Sequence, residues 1–134
     1  MYDFRIEIDV EPVKGFSYPK ITYGITGINL IECTIDVPTT ITYTHRLPAG
    51  DYSFELSMIN KHRNDPAMAV DIKSIRVMEI EDYQFIYNSV YSPEGREVLH
   101  AHNYICWPGK WEMNFSSPVY TWIHKQLDLG WIYD

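Results

Sequence analysis

Cysteine is scarce in this chain, and the two present, Cys33 and Cys106, have neither CxxC nor zinc spacing. A disulfide framework and a cysteine-built metal centre are both excluded as the source of stability, which leaves buried free thiols as the simple reading. Cations are also few, with 11 Lys plus Arg against 18 Asp plus Glu, a formal charge of −7. Nucleic-acid affinity rests on cationic contacts that displace counterions, so a nucleic-acid partner is set aside. No apolar run approaches the ~20 residues of a membrane span, and MYDFRIEIDV has neither the basic start nor the apolar block of a signal peptide. The expectation is a protein made in a cytoplasm that leaves it, if at all, within a larger particle. Neither a glycine-rich phosphate loop nor a GxSxG elbow occurs. No catalytic residues are assigned and the chain is expected not to be an enzyme.

What is present is alternation. In YDFRIEIDV, Phe4, Ile6, Ile8 and Val10 share one face and Asp3, Arg5, Glu7 and Asp9 the other, as in a strand with one wet side. The same period of two runs through KITYGI, Ile31–Val37, TTITYTH, DYSFELSM, YQFIYN, EVLHAHNYI and KWEMNF. VDIKSIRV slips phase between Ile72 and Ile75, which predicts a β-bulge. One helix is expected, over SSPVYTWIHKQL, with Ser117 as cap, Pro118 at the first helical position and Gly130 as its end. Eight or nine strands with Pro/Gly turns predict a single domain over 1–134. Its fold is all-β, an antiparallel β-sandwich of jelly-roll type with one short C-terminal helix, a barrel being the alternative.

Candidate site residues are sparse. His100 and His102 stand two apart and would share a strand face, but no third ligand at a recognisable spacing completes a zinc site. Trp107, in the turn CWPG, and Trp131, in the tail, are the tryptophans not claimed by a core pattern, and either could contact a sugar or a protein partner. The polar break between strands holds Asn60, Asn64, Asp65 and Asp71. Asn64, Asp65 and Asp71 carry the oxygen atoms calcium takes, without the spacing of an EF-hand. Lys61, His62 and Arg63 place positive charge beside them, so a solvated loop competes with a calcium loop.

The arrangement AGDYSFELSMINKHRND followed by VDIKSIRVMEIE resembles the core of calcium-dependent carbohydrate-binding modules of the xylan-binding type, which are jelly-roll sandwiches. The resemblance implies a calcium ion held near Asp71, with Asn64 and Asp65 on the preceding loop, and a glycan ligand. The chain is also similar to small proteins of tailed bacteriophages, especially T4-like phages of cyanobacteria. The likeness lies in Asn60–Lys61 and the block GKWEMNFSSPVYTWIHKQL, within residues 48–127. That likeness implies a non-enzymatic virion component of the tail, baseplate or capsid, packed in several copies against other virion proteins. The alternative is a calcium-dependent carbohydrate-binding module acting in recognition of host glycans.

Overall fold

The computed structural model describes residues 1–62 and 64–127. Arg63, Gly130, Trp131 and the expected tail strand lie outside the described residues. In chain order the strands are β1 (Tyr2–Val13), β2 (Lys20–Ile25), β3 (Asn29–Thr34), β4 (Thr39–Leu47), β5 (Gly50–Met58), β6 (Ala69–Val77), β7 (Ile80–Glu81), β8 (Ser89–Pro93), β9 (Leu99–His100), β10 (Tyr104–Ile105) and β11 (Gly109–Ser117). Two helices are added, α1 (Gln84–Tyr87) and α2 (Val119–Leu127).

They form two antiparallel sheets. One runs β10-β6-β1-β4 with β7 beside β6, and the other β3-β2-β5-β11-β8-β9. Each sheet keeps its own edges, so the fold is a sandwich and not a closed barrel. Period-two patterning puts the expected residues inside: Phe4, Ile6, Ile8 and Val10 from β1 and Phe54, Leu56 and Met58 from β5 are all buried. Phe4 stacks on Phe115 across the gap at 4.2 Å, and Phe115 meets Trp122 of α2 edge-on at 6.2 Å. These ring contacts join both sheets and the helix into one core.

The phase slip in β6 is a bulge. Asp9 pairs with Ser74 while Val10 pairs with Ile72, leaving Lys73 as the extra residue. The bulge keeps Ile72 and Ile75 both buried and turns Lys73 to solvent.

Three expectations need correction. YQFIYN is not a strand, because Asp82 accepts the Gln84 N–H at 2.8 Å and starts the turn α1. A helical turn lets the adjacent Phe85 and Ile86 both be buried, which a strand, alternating its faces, does not allow. EVLHAHNYI is split, since β9 joins one sheet through β8 and β10 the other through β6. Ala101, at φ 54°, turns the chain between them. Ser117 does not cap α2. It ends β11 buried, its hydroxyl donating to the Leu47 carbonyl at 3.4 Å.

Candidate functional site

The polar loop 60–68 is tied back onto the β1–β2 connection. The Asn60 amide accepts the Lys20 N–H at 2.8 Å and donates to the Tyr18 carbonyl at 2.9 Å. Asp65 is 2% exposed. Its carboxylate accepts three main-chain N–H groups, from Phe16 at 2.7 Å, Ala67 at 3.0 Å and Met68 at 3.2 Å. Burial alone would raise its pKa, but these donors and the charge of Lys61 hold the carboxyl below its ordinary value. Lys61 Nζ itself donates to the Met68 carbonyl at 2.8 Å.

Asp71 lies in β6 opposite Glu11 and Tyr104, paired to Lys73 Nζ at 2.8 Å. Asn64 is exposed, and its main-chain N–H donates to His62 Nδ1 at 3.1 Å. Asp65 and Asp71 thus enter separate networks whose donors are N–H groups. Among the described residues no cluster of three or more His, Cys, Asp or Glu side chains is placed to hold a metal ion. The oxygens of Asn64, Asp65 and Asp71, as they stand, do not fit one calcium shell of six to eight ligands.

The histidine pair is not a pair. His100 is exposed on β9 opposite Val90, whereas the His102 ring stacks on Tyr91 at 5.4 Å. The left-handed Ala101 between them breaks the strand alternation that would have put both on one face. Trp107 is half-buried: its Nε1–H donates to the Glu94 carbonyl at 3.1 Å, and the Arg96 guanidinium covers its ring at 4.4 Å. Tyr91 clamps the same residue, its hydroxyl accepting the Trp107 N–H at 3.0 Å and donating to the Trp107 carbonyl.

The structure builds a groove that the sequence patterns did not suggest. Met78 and Glu79, at φ 51° and 68°, form a two-residue turn that folds β7 back along β6, the geometry of a type I′ hairpin. The turn is held where the Met78 N–H donates to the Arg5 carbonyl at 2.8 Å. Glu81 then reaches Arg76 at 3.3 Å, and α1 begins immediately after. Between the β6 bulge and α1 lies a space of about 440 Å³ lined by Lys73, Ser74, Ile75, Glu81, Asp82, Tyr83 and Ile86. Tyr83 stands at its rim 67% exposed. The tilted ring of Tyr87 lies 6.3 Å from it.

Ser74, in the groove lining, joins a polar network that lies behind it. Arg76 grips Asp9 through Nη1 at 2.7 Å and Nη2 at 3.2 Å, and Ser74 and Thr40 donate to the same carboxylate at 2.5 Å. Asp9 is held well below the usual carboxylate range, first by the Arg76 hydrogen bonds, then by the two hydroxyls. The groove itself offers the carboxylates of Glu81 and Asp82, the Lys73 ammonium, the Ser74 hydroxyl, two buried isoleucines and an exposed aromatic face. That mixture suits a ligand with hydroxyl-bearing edges and an apolar face. The available signal was Asp82 placed ahead of Phe85–Ile86, a turn start misread as strand alternation.

No protein-family model and no curated protein matches the chain. Its fold does match solved structures. The selenomethionine form of vCBM60, from work linking two families of calcium-dependent carbohydrate-binding modules by circular permutation, aligns with a TM-score of 0.57 at 14% identity. The match covers 82% of this chain and 89% of that one. vCBM60 in complex with galactobiose aligns with a TM-score of 0.53 at 14% identity, over 82% of this chain and 98% of that one. The fold is that of a carbohydrate-binding module. At this identity the likeness extends to architecture and not to site residues.

Proposed function

We propose that this chain is a non-enzymatic glycan-binding module whose ligand lies in the groove between the β6 bulge and α1. The observation that carries the reading is Tyr83, two-thirds exposed beside a groove of ligand size, on a sandwich shared with vCBM60. A pyranose ring would stack on the phenol face while its hydroxyls bond Glu81, Asp82 and Ser74. Charged acceptors make the stronger hydrogen bonds of such a set.

The test is affinity electrophoresis through gels containing galactan or xylan, with galactobiose as a soluble competitor, for the intact protein and Tyr83→Ala. Retardation lost in the variant supports the reading, and unretarded migration in every gel counts against it. Repeating the gels in chelator separates direct sugar contact from contact through calcium, the ion implied by the sequence resemblance and named for the vCBM60 family.

The sequence likeness within residues 48–127 supports a further part of the proposal, that the module is carried in several copies on a tailed-phage particle. Mass spectrometry of purified particles tests this, and absence of the chain from them would remove it.

A further inference from the structure

We infer that the groove beside Tyr83 takes glycans bearing a primary amine, and that Glu81 and Asp82 select the ammonium over its N-acetylated form. The inference rests on the glycan reading of this groove and adds the chemical class of the sugar.

The selection follows from which hydrogen-bonding groups the lining has left to offer. Apart from the Tyr83 hydroxyl, its side-chain donors are engaged. Ser74 gives its hydroxyl proton to Asp9 at 2.5 Å, and Lys73 Nζ serves Asp71 at 2.8 Å and Glu11 at 3.3 Å. The acceptors are only half used. Glu81 offers Oε1 to Arg76 Nη1 at 3.3 Å, and Asp82 offers Oδ1 to the Gln84 N–H at 2.8 Å. Oε2 of Glu81 and Oδ2 of Asp82 have no partner among the described residues. An ionised carboxylate can only accept, so the groove favours a ligand edge made of donors. A sugar hydroxyl both donates and accepts, whereas an ammonium presents three donors and no acceptor.

Charge points the same way. Arg76 is divided among Asp9, Glu81 and Glu7, and Lys73 between Asp71 and Glu11. Asp82 has no cationic partner among the described residues. Carboxylates therefore outnumber cations beside the groove, even counting Arg5, which reaches Glu7 at 3.4 Å. Tyr83 and Tyr87 are both exposed, with ring centres 6.3 Å apart. Their faces attract a cation that comes within about 6 Å. Acetylating the amine would remove its charge and bring a carbonyl acceptor towards two carboxylates.

The experiment is calorimetric titration of the full chain with the linear glucosamine trimer, its N-acetylated counterpart and galactobiose, in mildly acidic buffer that keeps the amines protonated. Glu81→Gln, Asp82→Asn and Tyr83→Ala probe the groove, with melts to confirm folding, and Glu112→Gln makes the same charge change on the other sheet. The amine trimer should bind more tightly than the N-acetylated one by about tenfold or more. Asp82→Asn, whose amide oxygen still accepts the Gln84 N–H, should narrow that ratio several-fold, and Glu112→Gln should leave it unchanged. Equal affinities for the two trimers, a preference that survives both carboxylate changes, or one that falls equally with Glu112→Gln would overturn the inference. Galactobiose binding abolished by Tyr83→Ala, with no preference for the amine, would overturn it while leaving the glycan reading intact. Absence of binding by all three ligands would remove both.

Discussion

The carboxylate of Asp65 occupies the space that a side chain on Gly15 would fill. A Cβ built on Gly15 would stand 2.1 Å from both Asp65 oxygens, although 50 positions of chain separate the two residues. Gly15→Ala and Asp65→Ala should each cost about 1–3 kcal/mol, by displacing the carboxylate or by leaving buried N–H groups unpaired. Because both changes break one contact, the double variant should cost little more than either single one. Urea denaturation of the four proteins checks this, and full additivity would mean the two residues act separately.

Removing Tyr83 should separate binding from stability. The ring is exposed, so Tyr83→Ala should leave the melting midpoint nearly unchanged. Loss of an aromatic stacking contact of about 1 kcal/mol or more should weaken glycan binding at least several-fold. Calorimetric melts and affinity gels, run on the same preparation, give both readings.

Chelation should leave the fold intact. The oxygens of Asp65 and Asp71 are engaged by N–H donors of the chain itself, so neither carboxylate needs an ion to be satisfied. Melts in chelator and in millimolar calcium should agree within about 1 °C. A ligand at a hundredfold excess over its dissociation constant would add roughly 2.7 kcal/mol and shift the midpoint by several degrees.

Acid should weaken the outer face of the five-stranded sheet. Asp9 has a folded pKa below its unfolded value of about 3.9. Its contribution is therefore complete above that unfolded value and is lost as pH falls through the folded one. Asp9→Asn should cost about 1 kcal/mol at neutral pH, after allowance for solvent screening. The gap from the parent protein should narrow below about pH 4. Guanidinium-free melts across this range provide the measurement.

Alkali acts through Tyr91, whose phenol burial pushes up to about 12 against the opposing pull of its Trp107 hydrogen bond. A raised pKa gives stability that is present below the ordinary phenol value of about 10 and lost as pH rises through the folded one. Tyr91→Phe should cost about 1–3 kcal/mol, because the Trp107 N–H and carbonyl both lose a partner. Ultraviolet titration of the variant should lack the last phenol to ionise.

Much of the sandwich is legible in the sequence alone. Alternation in β1 and β5 had only one solution that buries Phe4 to Val10 and Phe54 to Met58, and a phase slip of one residue had to be a bulge. The misreadings share a cause. Asp82 ahead of Phe85–Ile86 and Ala101 between two histidines are places where a turn conformation overrides the period of two. Turn geometry is settled by hydrogen bonds whose partners lie elsewhere in the chain.

The candidate site shows the same division more sharply. Period, turn residues and charge determined that this chain makes two wet-faced sheets with little helix, because each signal is local and repeats over many residues. Tertiary structure decided that Asp65 fills the space beside Gly15 and takes three N–H groups, that Lys73 bridges Asp71 and Glu11, and that Tyr83 stands beside a groove. Those roles depend on which atoms meet across long stretches of sequence, and a carboxylate takes whatever donors the folded chain brings to it.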